Sequence, residues 1–297
     1  MPAARVLAQA KINVWLHVLG PRPDGFHDLL TLFQRLELAD EIIVRASNAA
    51  TRSLDVSGPR LPRDGLGPEK ENLVYRAAVA FHAAAGWPRG FEIALTKRIP
   101  VGGGLGGGSA DAGCVLRALN ALAPRPLDAP RLHAIAATLG SDVPFFVTEE
   151  VAAVAAGRGE ALRGSLAPMP AADVLLVVPS FGIATTDAYR WLRESGRYQA
   201  THDRRASTSM RPTPRPWSAL NLGNTFEPVV EEKYPELANH RTRLIEAGAT
   251  IARLSGSGST VFGLFESGAP GERTLGIDAL VIRTRTAENV VQVEVRE

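Results

Sequence analysis

Six of the seven residues from Gly102 to Gly108 are glycine, in the run Pro100-Val101-Gly102-Gly103-Gly104-Leu105-Gly106-Gly107-Gly108-Ser109-Ala110-Asp111. An ordinary turn needs one or two glycines. A backbone that must wrap its N–H groups around a phosphate needs many, because without Cβ atoms it reaches φ > 0 and approaches a ligand closely. A helical pattern starts directly behind the loop, so free N–H groups and a positive dipole end converge on the same point. The run reads as a nucleoside triphosphate site. A flexible linker is the bland alternative, but linkers are not flanked by Ile99-Pro100-Val101 and by a helix opening at Ser109.

Neither of the two common phosphate loops fits. A P-loop ends in Gly-Lys followed by Ser or Thr, and no lysine follows Gly108. Gly102, Gly104 and Gly107 satisfy G-x-G-x-x-G, but glycine-dense stretches match that pattern by chance. A dinucleotide site also requires an acidic residue ending a strand ~20 residues on. Asp128 stands near that distance, in a proline-rich turn ahead of a helix.

Bulk properties narrow the class. A chain of 297 residues suggests one large domain or two ordinary ones, and 45% hydrophobic residues provide for a core. Lys+Arg 33 against Asp+Glu 31 leaves a net charge of only +2, which argues against a nucleic-acid binder. The single cysteine, Cys114, excludes an internal disulfide and a cysteine metal cluster; it falls in an apolar run and reads as a small core residue. No signal segment and no apolar run of ~18 residues is evident, so a soluble, cytoplasmic protein is expected, with no membrane association.

Strands are expected over Arg5–Leu19, Phe33–Arg45, Phe91–Ile99, Asp173–Val178 and Val290–Val295. Helices are expected over Glu71–Ala85, with Asn72 as cap and Val74, Ala77, Ala78 and Phe81 on one face, and over Ser109–Leu122, Leu127–Leu139 and Tyr234–Ala247. Ser109 is placed to cap the second of these. Pro21–Gly25 and Ser57–Pro68 read as turn and loop, Ala252–Phe265 as a glycine turn and an apolar strand, and Gly196–Pro216 as a flexible insertion. Strands and helices mix without a strict βαβ rhythm, which indicates an α+β fold with two lobes.

Three further segments carry chemistry. Ala10-Lys11-Ile12-Asn13 puts a lysine in the first strand, where it could also snorkel outward. Leu139-Gly140-Ser141-Asp142-Val143-Pro144-Phe145-Phe146 puts an aspartate at a helix-to-strand turn, where a plain cap is the alternative. Arg253-Leu254-Ser255-Gly256-Ser257-Gly258-Ser259-Thr260 is a second glycine turn, which alone could be an ordinary hairpin loop.

In this order, lysine strand, glycine loop, Gly-x-Asp-Val-Pro and Ser-Gly-x-Gly resemble the GHMP small-molecule kinase superfamily. The resemblance runs from Lys11 to about Phe265. Ala10-Lys11-Ile12-Asn13, Asp24-Gly25-Phe26-His27 and Thr31-Leu32-Phe33-Gln34 point to the branch whose acceptor is a cytidine diphosphate ester of methylerythritol, on the non-mevalonate isoprenoid route. The resemblance implies an N-terminal lobe of ribosomal-protein-S5-like βαβ topology over residues 1–165 and a C-terminal α/β sandwich lobe over residues 166–297. The active site would lie in the cleft between.

The resemblance also implies roles. Asp142 would take the proton of the acceptor's 2-hydroxyl, and Lys11 beside it would keep the carboxylate ionised and orient the hydroxyl. Pro100, Gly102, Gly103, Gly104, Leu105, Gly106, Gly107, Gly108 and Ser109 would hold ATP, with Mg²⁺ neutralising its phosphates; no protein ligands for the metal are named. Phe26 and Tyr189 would face the cytosine, His27 would read its edge, and Asn13 would touch the acceptor. Taken alone, Phe26 could be core packing and His27 a surface-turn histidine. Ala110 stands where the family usually has a second serine, and Phe26 where it often has tyrosine. A monomer or weak dimer is expected. The alternatives are another GHMP alcohol kinase, or a catalytically silent ligand-binding sensor on the same fold.

Overall fold

The structure is a computed structural model that describes residues 2–165, 169–198 and 216–296. The expected insertion at 196–216 therefore lies outside the described residues over 199–215.

The first lobe is built on two long strands, β1 (Ala3–Pro21) and β2 (His27–Ser47), joined by the Pro21–Gly25 turn. β3 (Arg52–Ser57), α1 (Leu73–Ala85) and β4 (Gly90–Thr96) follow, and β3 pairs parallel to β4 across the α1 crossover. This is the βαβ unit expected for the lobe. Then come α2 (Gly107–Leu122), α3 (Ala129–Leu139), the short α4 (Val143–Phe146), β5 (Ala152–Gly157) and β6 (Ala161–Ser165). β2 pairs with β1 along one edge and with two strands along the other: Leu29–Gln34 pairs with β5, and Glu41–Ser47 pairs with β4.

The second lobe holds β7 (Asp173–Val178), α5 (Thr185–Ser195), α6 (Glu227–Lys233), α7 (Pro235–Glu246), β8 (Ile251–Leu254), β9 (Val261–Phe265) and β10 (Leu280–Arg285). Its antiparallel sheet runs β10-β7-β9-β8. The chain then returns, and β11 (Glu294–Arg296) pairs with β1 in the first sheet.

Val290–Val295 is not the full strand its alternation suggests. Its backbone is claimed by side chains instead: Gln9 Nε2 donates to Asn289 O, Val291 N donates to Gln9 Oε1, and Arg117 Nη2 donates to Val291 O. Buried backbone groups need a partner, not a ladder.

Helix α1 shows the sequence rules working locally. Its four expected core residues, Val74, Ala77, Ala78 and Phe81, are the buried ones. Asn72 Oδ1 accepts from Val74 N at 2.9 Å, and Gly86 closes the other end in the left-handed region. The helix opens two residues later than expected because Glu69–Glu71 forms a separate 3₁₀ turn. Asn72→Ala is expected to cost about 1 kcal/mol, read as a lowered thermal midpoint.

Three apolar clusters make the core. One lies between the first sheet and α1–α3, and contains Cys114. A second lies between the two sheets around Trp15 and Trp217, and a third under α5–α7. β1 passes through all this, so from Ala8 to Val18 every residue is buried. That removes the surface to which Lys11 could have snorkelled.

Candidate active site

Lys11 and Asn13 sit on a stretch of β1 bounded by register shifts at Gln9/Lys11 and at Asn13/Trp15. Such irregularities re-aim side chains and recur beside functional sites. Lys11 is 3% exposed and its ammonium has three acceptors: Asn13 Oδ1 at 2.6 Å, Gly104 O at 2.9 Å and Asp142 Oδ2 at 3.5 Å. Three acceptors match the three protons of an ammonium. Burial lowers the lysine's pKa, and the Asp142 charge opposes that fall. Asn13 is held in turn: its Nδ2 donates to Thr31 Oγ1 at 2.8 Å, and Thr31 donates to Trp15 O at 2.7 Å.

Asp142 precedes α4, and its side chain makes no capping bond. The expected helix-to-strand turn is a helix-to-helix turn. The run Val143-Pro144-Phe145-Phe146 reads as strand by residue type, but Pro144 is favourable in the first turn of a helix. Asp142 is one-third exposed, and its carboxylate faces a cavity of about 590 Å³ rather than its own backbone.

Asn13, Phe26, His27, Thr31, Arg158, Thr185, Tyr189 and Arg193 also line this cavity. The aromatic arrangement differs from the expected one. His27 itself lies on the Tyr189 face, with ring centroids 4.6 Å apart and planes at 28°. Phe26 is 51% exposed, with the Arg158 guanidinium 4.8 Å from its ring centre. His27 Nε2 is buried with no hydrogen-bond partner among the described residues. Burial and the Arg193 charge lower the His27 pKa, which keeps the ring neutral at pH 7. Burial, with a contribution from Asp142, pushes Tyr189 up to about 12.

The glycine loop lines a second cavity, of about 560 Å³, with Pro100 through Ser109 on its wall. Helix α2 begins at Gly107, not at Ser109. Gly106 takes φ +70° and starts the helix, so Ser109 falls in the first turn instead of capping it. The first N–H groups of α2 have no partner within the helix. The same wall carries Glu71, Asn72, Lys97 and Asp111. Lys97 binds the buried Asp40 and Asp111, 2.7 Å from the latter, and Asp40 also accepts Ile99 N at 2.8 Å. This knot anchors the chain as it enters the loop. Burial raises the Asp111 pKa against the pull of Lys97, and Asp111 Oδ1 has no partner among the described residues.

The two cavities share Gly104, Gly106 and Thr185, so they meet beside Lys11 and Asp142. Their junction is a three-way splice. Lys11 N donates to Leu105 O at 2.9 Å, Thr260 N to Gly103 O at 3.2 Å, and Ser255 Oγ to Gly104 O at 2.9 Å. The second glycine turn is thus no free hairpin loop: it lies against the first. A Cβ on Gly104 would stand 2.1 Å from Ser255 O. Asn224 secures the second turn from behind, donating to Leu254 O and Gly256 O at 2.8 Å each.

All fifteen expected site residues line one cavity or the other. Arg158, Arg193, Thr185, Lys97, Asp111 and Asn224 were not anticipated. Thr31 and Asp111 were within reach, since each belongs to a segment already singled out. The others lie in stretches with no local signature. Among the described residues no cluster of three or more His, Cys, Asp or Glu could hold a metal alone, and no helix is long and apolar enough to cross a membrane.

Comparison with known proteins shows the family. Residues 72–150 match the family described as GHMP kinases N terminal domain, and residues 215–275 match GHMP kinases C terminal. A 4-diphosphocytidyl-2-C-methyl-D-erythritol kinase from Pelotomaculum thermopropionicum is 44% identical over 258 residues, covering 87% of this chain and 88% of that protein. The one from Geobacter metallireducens is 40% identical, over 90% of this chain and 91% of the relative. A crystal structure of 4-(cytidine 5'-diphospho)-2C-methyl-D-erythritol kinase superposes with a TM-score of 0.74 at 36% identity, covering 95% of this chain and 99% of the other. A homoserine kinase from Cytophaga hutchinsonii shares the fold, with a TM-score of 0.72 at 18% identity over 99% and 97% of the two chains.

Proposed function

This chain belongs to the GHMP kinases, within the 4-diphosphocytidyl-2-C-methyl-D-erythritol kinase family, and from that premise we propose that it transfers the terminal phosphate of ATP to the 2-hydroxyl of 4-diphosphocytidyl-2-C-methyl-D-erythritol. The observation that carries the reading is the placement of Asp142 and the buried Lys11 where the two cavities meet.

The second cavity takes ATP, its phosphates on the α2 N-terminus and the glycine backbone. The first takes the cytidyl acceptor, its hydroxyl beside Asp142. As the new O–P bond forms and the bond to ADP breaks, Asp142 accepts the hydroxyl proton. Phosphoryl transfer asks little covalent chemistry of a protein; positioning and charge carry it. Lys11 places one positive charge at the junction and, through Gly104 O, ties the phosphate loop to the acceptor strand. Magnesium, when bound, neutralises phosphate charge. The donors on the second wall, Ser109, Glu71 and the free Asp111 Oδ1, suit an ion held mainly by phosphates and water.

The first cavity suits a charged aromatic ester. Phe26 supplies an exposed flat face, Tyr189 backs the His27 ring, the orphaned His27 Nε2 supplies an edge reader, and Arg158 and Arg193 supply positive charge. We take residues 1–165 as the ATP-binding lobe and 166–297 as the second, with the 294–296 strand laid back on the first. The proposed state is a monomer or weak dimer. The proposed setting is the cytoplasm, beside the ATP pool.

Cytidine diphosphate is expected to inhibit competitively against the acceptor but not against ATP. Base-aromatic stacking is worth about 1–3 kcal/mol, so Phe26→Ala should raise the acceptor KM by about 5- to 100-fold and leave the ATP KM in place. Competition by cytidine diphosphate against ATP alone would defeat this assignment of the cavities.

A further inference from the structure

Arg35 stands opposite Lys11 in the β1–β2 ladder, and it is completely buried. Residues paired across an antiparallel ladder project from the same face of the sheet. Lys11 reaches Asp142; Arg35 reaches the far end of the turn that carries Asp142. Its Nε donates to Glu150 O at 2.9 Å, and its Nη2 donates to Phe145 O at 2.9 Å and Thr148 O at 3.1 Å. Its guanidinium lies 4.6 Å from the Phe145 ring centre and 5.1 Å from that of Phe146. The Arg35 backbone joins in, its N donating to Val151 O at 2.8 Å.

Asp142 is followed at once by α4, only four residues long. A helix that short has no stability of its own, and its last carbonyls lack partners within it. A buried cation at its C-terminal end takes one of those carbonyls, Phe145 O, ties it to Thr148 O and Glu150 O of the chain that follows, and complements the helix dipole. The planar guanidinium does so in several directions at once and lies against both aromatic rings, which an ammonium would not match. Burial pulls Arg35 down to about 10, which leaves it charged at neutral pH.

We infer that Arg35 is a positioning residue for Asp142: it fixes the α4 turn, and so holds the carboxylate in place against Lys11. One rung of the β1–β2 ladder then carries both the lysine and the anchor of its aspartate. The inference rests on the reading of Asp142 as the proton acceptor.

The test measures kcat and the KM of both substrates for Arg35→Met and Arg35→Lys, with Asp142→Asn as benchmark. A control for lost stability is Val44→Ala, a buried core truncation ~30 Å further along β2 by strand rise. Arg35→Met keeps much of the volume and removes the donors. It is expected to lower kcat about 10- to 100-fold, since small misplacements of reacting groups cost that much. Both KM values should stay within about threefold, and Arg35→Lys should recover part of the rate. Val44→Ala should lower the thermal midpoint without lowering kcat.

A folded Arg35→Met enzyme with kcat within about twofold of the parent overturns the inference, as does an equal kcat loss in Val44→Ala. If Arg35→Met yields no folded protein, Arg35→Lys decides: a fall in kcat alone supports positioning, and an unchanged kcat overturns it. Full turnover in Asp142→Asn overturns the base reading and the inference with it. An inactive Asp142→Asn beside a fully active Arg35→Met overturns the inference alone.

Discussion

Asp142→Asn is expected to lower kcat by about 10²- to 10⁴-fold while leaving the KM for ATP nearly unchanged. The amide keeps the size of the side chain and removes its capacity to take a proton. Asp142 makes no capping bond in α4, so the substitution takes no hydrogen bond from that helix. Its contact with Lys11 is 3.5 Å long and one-third exposed on the aspartate side, a geometry in which the stability cost stays small. A large loss of rate with little loss of stability is therefore the signature. A comparable fall in thermal midpoint, or a raised ATP KM at unchanged kcat, would assign Asp142 a structural or nucleotide-binding role instead.

Gly104→Ala is expected to remove ATP binding and to destabilise the fold together. Gly104 has φ +77°, a strain of about 1–3 kcal/mol for a residue with a Cβ. The added methyl would stand 2.1 Å from Ser255 O and 3.1 Å from Gly258 O, both backbone atoms that cannot swing away. Overpacking of this kind adds about 1–3 kcal/mol. Relief would push the two glycine turns apart and break the bonds that Gly104 O accepts from Lys11 and Ser255. Gly102→Ala separates the two causes. Gly102 has nearly the same φ, +76°, and open space where its Cβ would lie. It should show the backbone cost without the loss of the junction. Equal effects at the two positions would mean that the contact between the turns is unimportant.

How legible the site was follows from how local each part is. The glycine loop, Lys11 and Asp142 are contiguous motifs, because a phosphate cradle needs successive backbone N–H groups and a strand or turn presents its side chain alone. Arg35 and Asn224 act through contacts that span more than a hundred residues of chain in one case and about thirty in the other, and no spacing rule connects such pairs. Elements followed the same division. α1 was legible because its cap, periodic face and closing glycine lie within its own length. α4 was not, since aromatic residues favour strands by type, while the helical turn is held by distant contacts such as the buried Arg35 on Phe145 O. The Val290–Val295 alternation was sound as far as β11, but Gln9 and Arg117 took the backbone groups that a longer strand would have paired. The stacking of His27 on Tyr189 likewise depends on two lobes meeting, which neither local sequence encodes.

The most direct measurement is ADP release from ATP and Mg²⁺ with three acceptors side by side: 4-diphosphocytidyl-2-C-methyl-D-erythritol, methylerythritol phosphate and homoserine. Turnover with the cytidyl ester alone is the predicted result. Turnover with homoserine or with the phosphate monoester, and none with the cytidyl ester, would contradict the account.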